Sequence, residues 1–325
     1  MRCKILLFFT FLSAAAFPQS DDTLVLQPAT ESYFRFMYEN DFFSATDRYY
    51  TQGIQVTFIH RLVKYSPFSK TLIPLSKNAR NYYGIQARQD CFTPRSIRHE
   101  GIFYGERPFC ATAFISHTLR SLDPVKKQSL HTQLDIGGLG PCARCEDEQK
   151  AIHKALVNIY PLGWENQVHN DLILNYRASF EKGIINTRSF ELMGITAARL
   201  GTLYTDLGLG VHMRLGKMNP YFNNLGLSKS TVNKKSNQPF LIYAFIKGNA
   251  RLIAYNATLQ GGLFNTASPY TLASDRISRV VIDGTGGIVI AYKQVSLEYS
   301  KAYITSEFKG GLDHGWGRCF ITVCF

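Results

Sequence analysis

The sequence predicts an all-β chain, a twelve-stranded antiparallel transmembrane β-barrel with a short helix in an external loop. Three observations carry this prediction. Between turn signals the apolar residues alternate at period two. The chain holds 18 Tyr and 23 Phe but only 18% charged residues. No stretch approaches the about 20 apolar residues that a spanning helix needs. In a closed barrel, lipid-facing and lumen-facing residues alternate, and every backbone group pairs with a neighbouring strand. A soluble sandwich shares the period but would rarely be this aromatic at its strand ends.

The pattern places strands at 32–41, 49–61, 80–91, 107–119, 129–138 and 168–182, then at 186–200, 203–215, 239–256, 276–291, 294–306 and 317–325. An even number returns both ends of the barrel to the periplasmic side. Odd strands then run outward, so the segments after Asp41, Asp90 and Gly138 become external loops. Lys182–Asn186 and Tyr292–Gln294 become short periplasmic turns, and 216–238 a long periplasmic connection.

Alternation also assigns faces. Phe34, Phe36 and Tyr38 should meet lipid, leaving Arg35, Glu39 and Asp41 inside. Ile54, Val56 and Phe58 should face out, opposite Thr51, Gly53, Gln55 and Thr57. Gln86, Arg88 and Asp90 should point inward, opposite Tyr83, Ile85 and Ala87. Asp41, Thr51 and Asp90 are therefore expected to converge at one external mouth.

Both ends of the chain suggest export. Arg2 and Lys4 precede an apolar run at 5–12, and Ala14 and Ala16 occupy the A-x-A positions of a cleavage site. The expected division is a signal peptide at 1–16 and a barrel domain at 17–325. The last strand places Ile321, Val323 and Phe325 on one face and ends on an aromatic, which looks like the sorting signal of bacterial outer-membrane barrels.

Net charge is +12, from 36 Lys+Arg against 24 Asp+Glu. On an exported barrel this favours anionic partners at the membrane surface, above all lipopolysaccharide phosphates, over nucleic acid. A single-chain barrel of this kind is expected to act as a monomer. Of seven Cys, Cys3 leaves with the signal peptide, and six remain in an oxidising compartment. Cys91 and Cys110 fall near one rim. Cys142 and Cys145 form a lone C-x-x-C without the second pair a structural zinc needs. Cys319 and Cys324 sit on opposite faces of one strand, and the connectivity stays open.

One external segment carries chemistry. After Gly140-Pro141, residues 144–157 read as a short helix, with Glu146, Asp147 and Glu148 at the positive end of its dipole. Glu146, Gln149, His153 and Leu156 share a face, and imidazole can take a proton from water near neutral pH. A lone loop histidine more often serves packing or hydrogen bonding. The second cluster is Glu39-Asn40-Asp41 with Thr46-Asp47 and Thr51. Carboxylate, carboxamide and hydroxyl are the hard oxygens that calcium prefers, although Asn-Asp and Thr-Asp also make ordinary turns. Asn40 and Asp41 point to opposite faces of a regular strand, so joint binding requires the strand to end or bulge there.

These pieces, with Gln89-Asp90-x-Phe92-Thr93-Pro94, Glu106-Arg107-Pro108-Phe109, Gln149-x-x-x-His153, Gly163-Trp164-Glu165-Asn166-Gln167 and Thr305-x-Glu307-Phe308, occur in an order that resembles the outer-membrane lipid A 3′-O-deacylase (LpxR) family. The resemblance runs from the first strand to the twelfth. It implies a twelve-stranded barrel with its site between the wall and an external helix. It also implies a calcium-dependent hydrolysis of lipid A acyl esters like that of a secreted phospholipase A2. His153 would then be the general base, Asn40 and Asp41 would help hold calcium, and Thr51 and Gln149 would line and orient the site. The chain departs from the family's pattern after the histidine. A carboxylate is expected there, but the residues are Leu156-Val157-Asn158-Ile159, leaving Glu146, Asp147 and Glu148 as the acidic groups nearby.

Two other functions compete. A non-catalytic channel or surface-binding barrel would need, as a pore, a continuous polar path past the 140–165 loop. A serine-nucleophile phospholipase would need a serine beside histidine on a strand, and the nearest serines make no such pair.

Overall fold

The computed structural model describes residues 32–44, 48–76, 79–223, 225 and 240–325. The expected signal peptide and most of the 216–238 connection lie outside the described residues. Twelve strands form one closed antiparallel barrel: β1 (Tyr33–Asn40), β2 (Tyr49–Ile59), β3 (Arg80–Thr93), β4 (Cys110–Asp123), β5 (Gln128–Leu139), β6 (Asp171–Asn186), β7 (Phe190–Gly201), β8 (Tyr204–Lys217), β9 (Phe240–Asn256), β10 (Val280–Tyr292), β11 (Val295–Ile304) and β12 (His314–Cys324). Each strand pairs with its sequence neighbours, and β1 closes on β12 from Tyr33↔Cys324 to Asn40↔Gly317. No helix among the described residues is long and apolar enough to cross a membrane.

The two faces follow the alternation. Phe34, Phe36, Ile85, Ile115, Ile288 and Ile321 stand exposed on the outer wall, which suits hydrocarbon as the surrounding solvent. The lumen holds charge in pairs: Arg177–Asp135 at 2.6 Å, Arg251–Asp283 at 2.7 Å and Arg214–Glu191 at 2.6 Å. Near the outer rim Arg88 binds both Glu39 (3.0 Å) and Asp90 (2.8 Å), and the single Tyr50 hydroxyl proton lies within reach of both carboxylates.

Contacts cross both mouths. At the outer rim, Arg107 of the β3–β4 loop reaches Glu307 of the β11–β12 loop (2.9 Å) and Thr258 of a one-turn helix, α2 (Ala257–Gln260), at 2.7 Å. At the periplasmic rim, the start of the long connection folds back on the strands. Phe222 is fully buried, the Tyr221 hydroxyl donates to Glu181, and Arg80 donates to the Asn223 carbonyl (2.7 Å). This gives the first residues of that connection a role the sequence left unexplained.

Three expectations need correction. Lys182–Asn186 is not a turn: β6 continues to Asn186 through an irregularity between Gly183 and Ile185, and the reversal falls at 187–189, where Thr187 and Phe190 bond to each other. The fourth strand, expected to end near 119, runs on to Asp123, while its start at Cys110 follows from Pro108, which has no N–H for a ladder. Thr51 does not face the lumen. A bulge between Tyr50 and Gln52 turns Tyr50 inward and takes Thr51 out of the alternation.

Removing Arg88 would leave the buried Asp90 without its cation, while Glu39 keeps Arg318 (2.5 Å). Arg88→Ala is expected to destabilise the barrel by about 3–5 kcal/mol, read as a lower temperature for the folded-to-unfolded shift in gel mobility. An unchanged temperature would mean that this network contributes little.

Candidate active site

The external segment between β5 and β6 forms the predicted helix as α1 (Cys145–Ala155). Arg144 precedes it in a left-handed conformation (φ 63) and pairs with Asp147 at 2.9 Å. Lys150 bonds Glu146 across one turn at 2.6 Å, and that hydrogen bond holds the lysine above its ordinary pKa. These charges occupy the face turned from the barrel. The face turned to the barrel is centred on Cys145, Gln149, Ile152 and Leu156, spaced i, i+4, i+7 and i+11.

That face is fastened to the outer wall of β2 and β3. Cys145 forms a disulfide with Cys91, so the C-x-x-C is split and Cys142 remains a thiol. Gln89 donates to the Ala143 carbonyl (2.7 Å), and Gln52 donates to Glu148 (2.6 Å). Behind the helix Trp164 is fully buried against Phe109, with ring centres 4.8 Å apart. Its indole N–H donates to Gln149 Oε1 at 2.7 Å. Gly163, at φ 93, permits this approach, because a Cβ there would lie 2.8 Å from the His99 carbonyl oxygen.

Between α1 and the wall lies a cavity of about 340 Å³. Asn40, Asp41, Thr51, Gln149 and His153 all line it. The strand ends at Asn40, and Asp41 begins a 3₁₀ turn. Consecutive residues therefore reach one space, whereas Glu39 stays in the lumen. Asn40 Oδ1 accepts from the Phe42 N–H (2.7 Å), and Asp41 Oδ2 accepts from the Arg48 N–H (2.7 Å). Thr51 donates to the Cys91 carbonyl (3.2 Å). His153 is 7% exposed, and its Nδ1 lies 2.5 Å from the Ile159 carbonyl. A carbonyl can only accept, so Nδ1 carries the proton and Nε2 is the basic nitrogen. The Ile159 carbonyl returns to His153 because Val157 adopts φ 53 and reverses the chain.

The expected convergence with Asp90 does not occur. Asp90 lies in the lumen with Tyr50 and Arg88, since inward residues of β3 are separated from the outer cavity by the wall itself. Glu146 also turns away, to Lys150 and Gln167. Of the three acidic residues in the first turn, Glu148 is the one bonded to the rim, through Gln52. The sequence reading missed Phe42, Phe43, Ile152 and Asn158 as lining residues. Helical spacing could have found Ile152, but no pattern marks the Phe pair in its short loop.

Asn40, Asp41 and Thr51 offer carboxamide, carboxylate and hydroxyl oxygens, which fit calcium by type. Among the described residues no three His, Cys, Asp or Glu side chains converge. A cation here would draw on neutral oxygens and water beside the Asp41 carboxylate.

A family model described as outer membrane protein LpxR matches residues 5–325. The structure is similar to that of LpxR from Salmonella typhimurium, with a TM-score of 0.71 and 21% identity over 90% of this chain and 99% of that one. The β domain of the Bordetella autotransporter BrkA aligns with a TM-score of 0.44 and 7% identity, over 90% of this chain and 98% of that one. The Pseudomonas putida toluene transporter TodX aligns at 0.38 and 8%, over 93% and 91%. No curated protein matches.

The disulfide closes a separation of 54 residues, worth about 4 kcal/mol of chain entropy. With Cys91 and Cys145 both changed to Ser, the 140–165 loop should become protease-sensitive while the strand signal in circular dichroism persists. Equal resistance in both forms would show that Trp164 and the hydrogen bonds hold α1 unaided.

Proposed function

The chain belongs to the LpxR family of outer membrane proteins and resides in the bacterial outer membrane, and on that footing we propose that it is a calcium-dependent lipid A deacylase. The observation that carries the reading is the single cavity, outside the wall and at the outer rim, that gathers Asn40, Asp41, Thr51, Gln149 and His153. Its position meets lipid from the leaflet, where lipopolysaccharide acyl esters lie at the boundary of headgroup and hydrocarbon.

In this reading His153 Nε2 takes a proton from water, and the water oxygen attacks the ester carbonyl. The Ile159 carbonyl holds the Nδ1 proton in place and favours the imidazolium as it forms. The proton then passes to the leaving sugar oxygen, releasing a fatty acid. Asn40 and Asp41 would hold a calcium ion, and Thr51 would offer its hydroxyl to the same site. When bound, the ion supplies positive charge to the oxygen that becomes anionic in the transition state. Gln149, oriented by Trp164, directs its amide toward the reacting ester. In this reading the protein acts as a monomer, one chain supplying all five side chains. A channel is disfavoured by the charge pairs that fill the lumen, one of them bridging β9 and β6, and by the contacts that cross both mouths.

Purified protein incubated with lipid A and calcium should release acyl chain, counted by mass spectrometry. His153→Ala should lose roughly a hundredfold to ten-thousandfold in rate, and equal product from both forms would sink the histidine mechanism. Chelation should abolish turnover; an unchanged rate would remove calcium from the scheme. Trp164→Phe keeps the ring but not the donor, and should lower kcat several-fold with little change in fold.

A further inference from the structure

The open edge of the cavity, between the end of α1 and the β1–β2 loop, is apolar and bare. Phe42 in the β1–β2 loop is 79% exposed, Leu156 at the end of α1 is 71% exposed, and Val157 is 93% exposed. Phe42 and Leu156 both line the cavity. The neighbouring Phe43 lies over Gly317 of β12 and edge-on to Tyr299 of β11, with ring centres 6.1 Å apart. Tyr299 is exposed on the outer wall, so the patch runs on from the hydrocarbon-facing belt.

Val157 adds a separate observation. It sits just past the helix end at φ 53, in a cap where the Asn158 N–H bonds to the His153 carbonyl (2.8 Å) and the Val157 N–H to that of Lys154 (3.4 Å). Helices usually place glycine or asparagine there, because a β-branched side chain is strained at positive φ. In water an almost fully exposed valine returns nothing for that strain. Among acyl chains its methyls are removed from water. The opposite face of α1 carries Arg144, Asp147, Lys150 and Lys154, the division expected of a helix lying at a membrane surface.

We infer that Phe42, Leu156 and Val157 form an apolar lip immersed in the acyl chains of the outer leaflet. A lipid chain enters the cavity sideways through it, between the β1–β2 loop and the end of α1. The fate of the chain inside rests on the deacylase reading, but the immersion does not.

The test uses the full chain reconstituted in phosphatidylcholine vesicles with plain or brominated acyl chains, which quench tryptophan they touch. Val157→Trp and Phe42→Trp are compared with Lys309→Trp, an exposed position in the β11–β12 loop. Emission added at 157 and 42 should fall by about half or more in brominated vesicles, as for a side chain buried ~5–10 Å into the interface, and emission at 309 should hardly change. Equally weak quenching at all three positions overturns the lip. Val157→Gly suits the backbone, so its thermal stability should hold or rise while turnover of bilayer lipid A falls several-fold; undiminished turnover overturns the entry route. Quenching reads position and not chemistry, so an inactive wild type with a quenched lip would remove the deacylase reading alone.

Discussion

Hydrocarbon offers a backbone no hydrogen bonds, and the closure of β1 on β12 answers that constraint for the whole chain. Once the ladder closes, each strand has one face in lipid and one in the lumen, and adjacent residues belong to different media. Glu39 and Asn40 illustrate the consequence. Glu39 joins Arg88 and Tyr50 inside the barrel, while Asn40 faces the cavity outside. The cavity and the structural charge are thereby kept apart by the thickness of one sheet.

The two sides carry different kinds of interaction. Inside, arginines and carboxylates pair across and along the strands, and their value lies in compensating one another's desolvation. Outside, the wall is apolar except where a loop covers it. Polar residues on that outer face, such as Gln52 and Gln89, bond to the α1 segment rather than to lipid. The wall thus supplies one side of the cavity and the loop supplies the other.

Preorganisation of the cavity depends on how α1 is held. The Cys91–Cys145 bridge sets where the helix begins, Trp164 sets Gln149, and the reversal at Val157 brings the Ile159 carbonyl to His153. Each link removes a degree of freedom from a loop that would otherwise sample many positions. The same reversal projects Val157 outward, so the device that orients the histidine also shapes the lipid-facing edge. In the proposed mechanism, the orientation of the histidine and the contact with lipid share one turn of chain.

Alternation of apolar and polar residues, as along Ile54–Phe58, together with the aromatic content and the lack of a spanning apolar run, was enough to predict the barrel, its strand number and most face assignments, because a period of two places successive side chains on opposite faces of a strand. The helix, expected at 144–157 and found at 145–155, was equally legible from dipole-complementing charges and spacing, whereas the role expected of its histidine came from the family resemblance. What only the tertiary structure decided were departures from periodicity: the bulge that frees Thr51, the turn that swings Asp41 beside Asn40, and the partner of Cys145. Asp90 fits the inward pattern yet falls on the far side of the wall from His153. A linear pattern records which face a residue takes, but which loop lies over that face is set by packing between segments more than fifty residues apart.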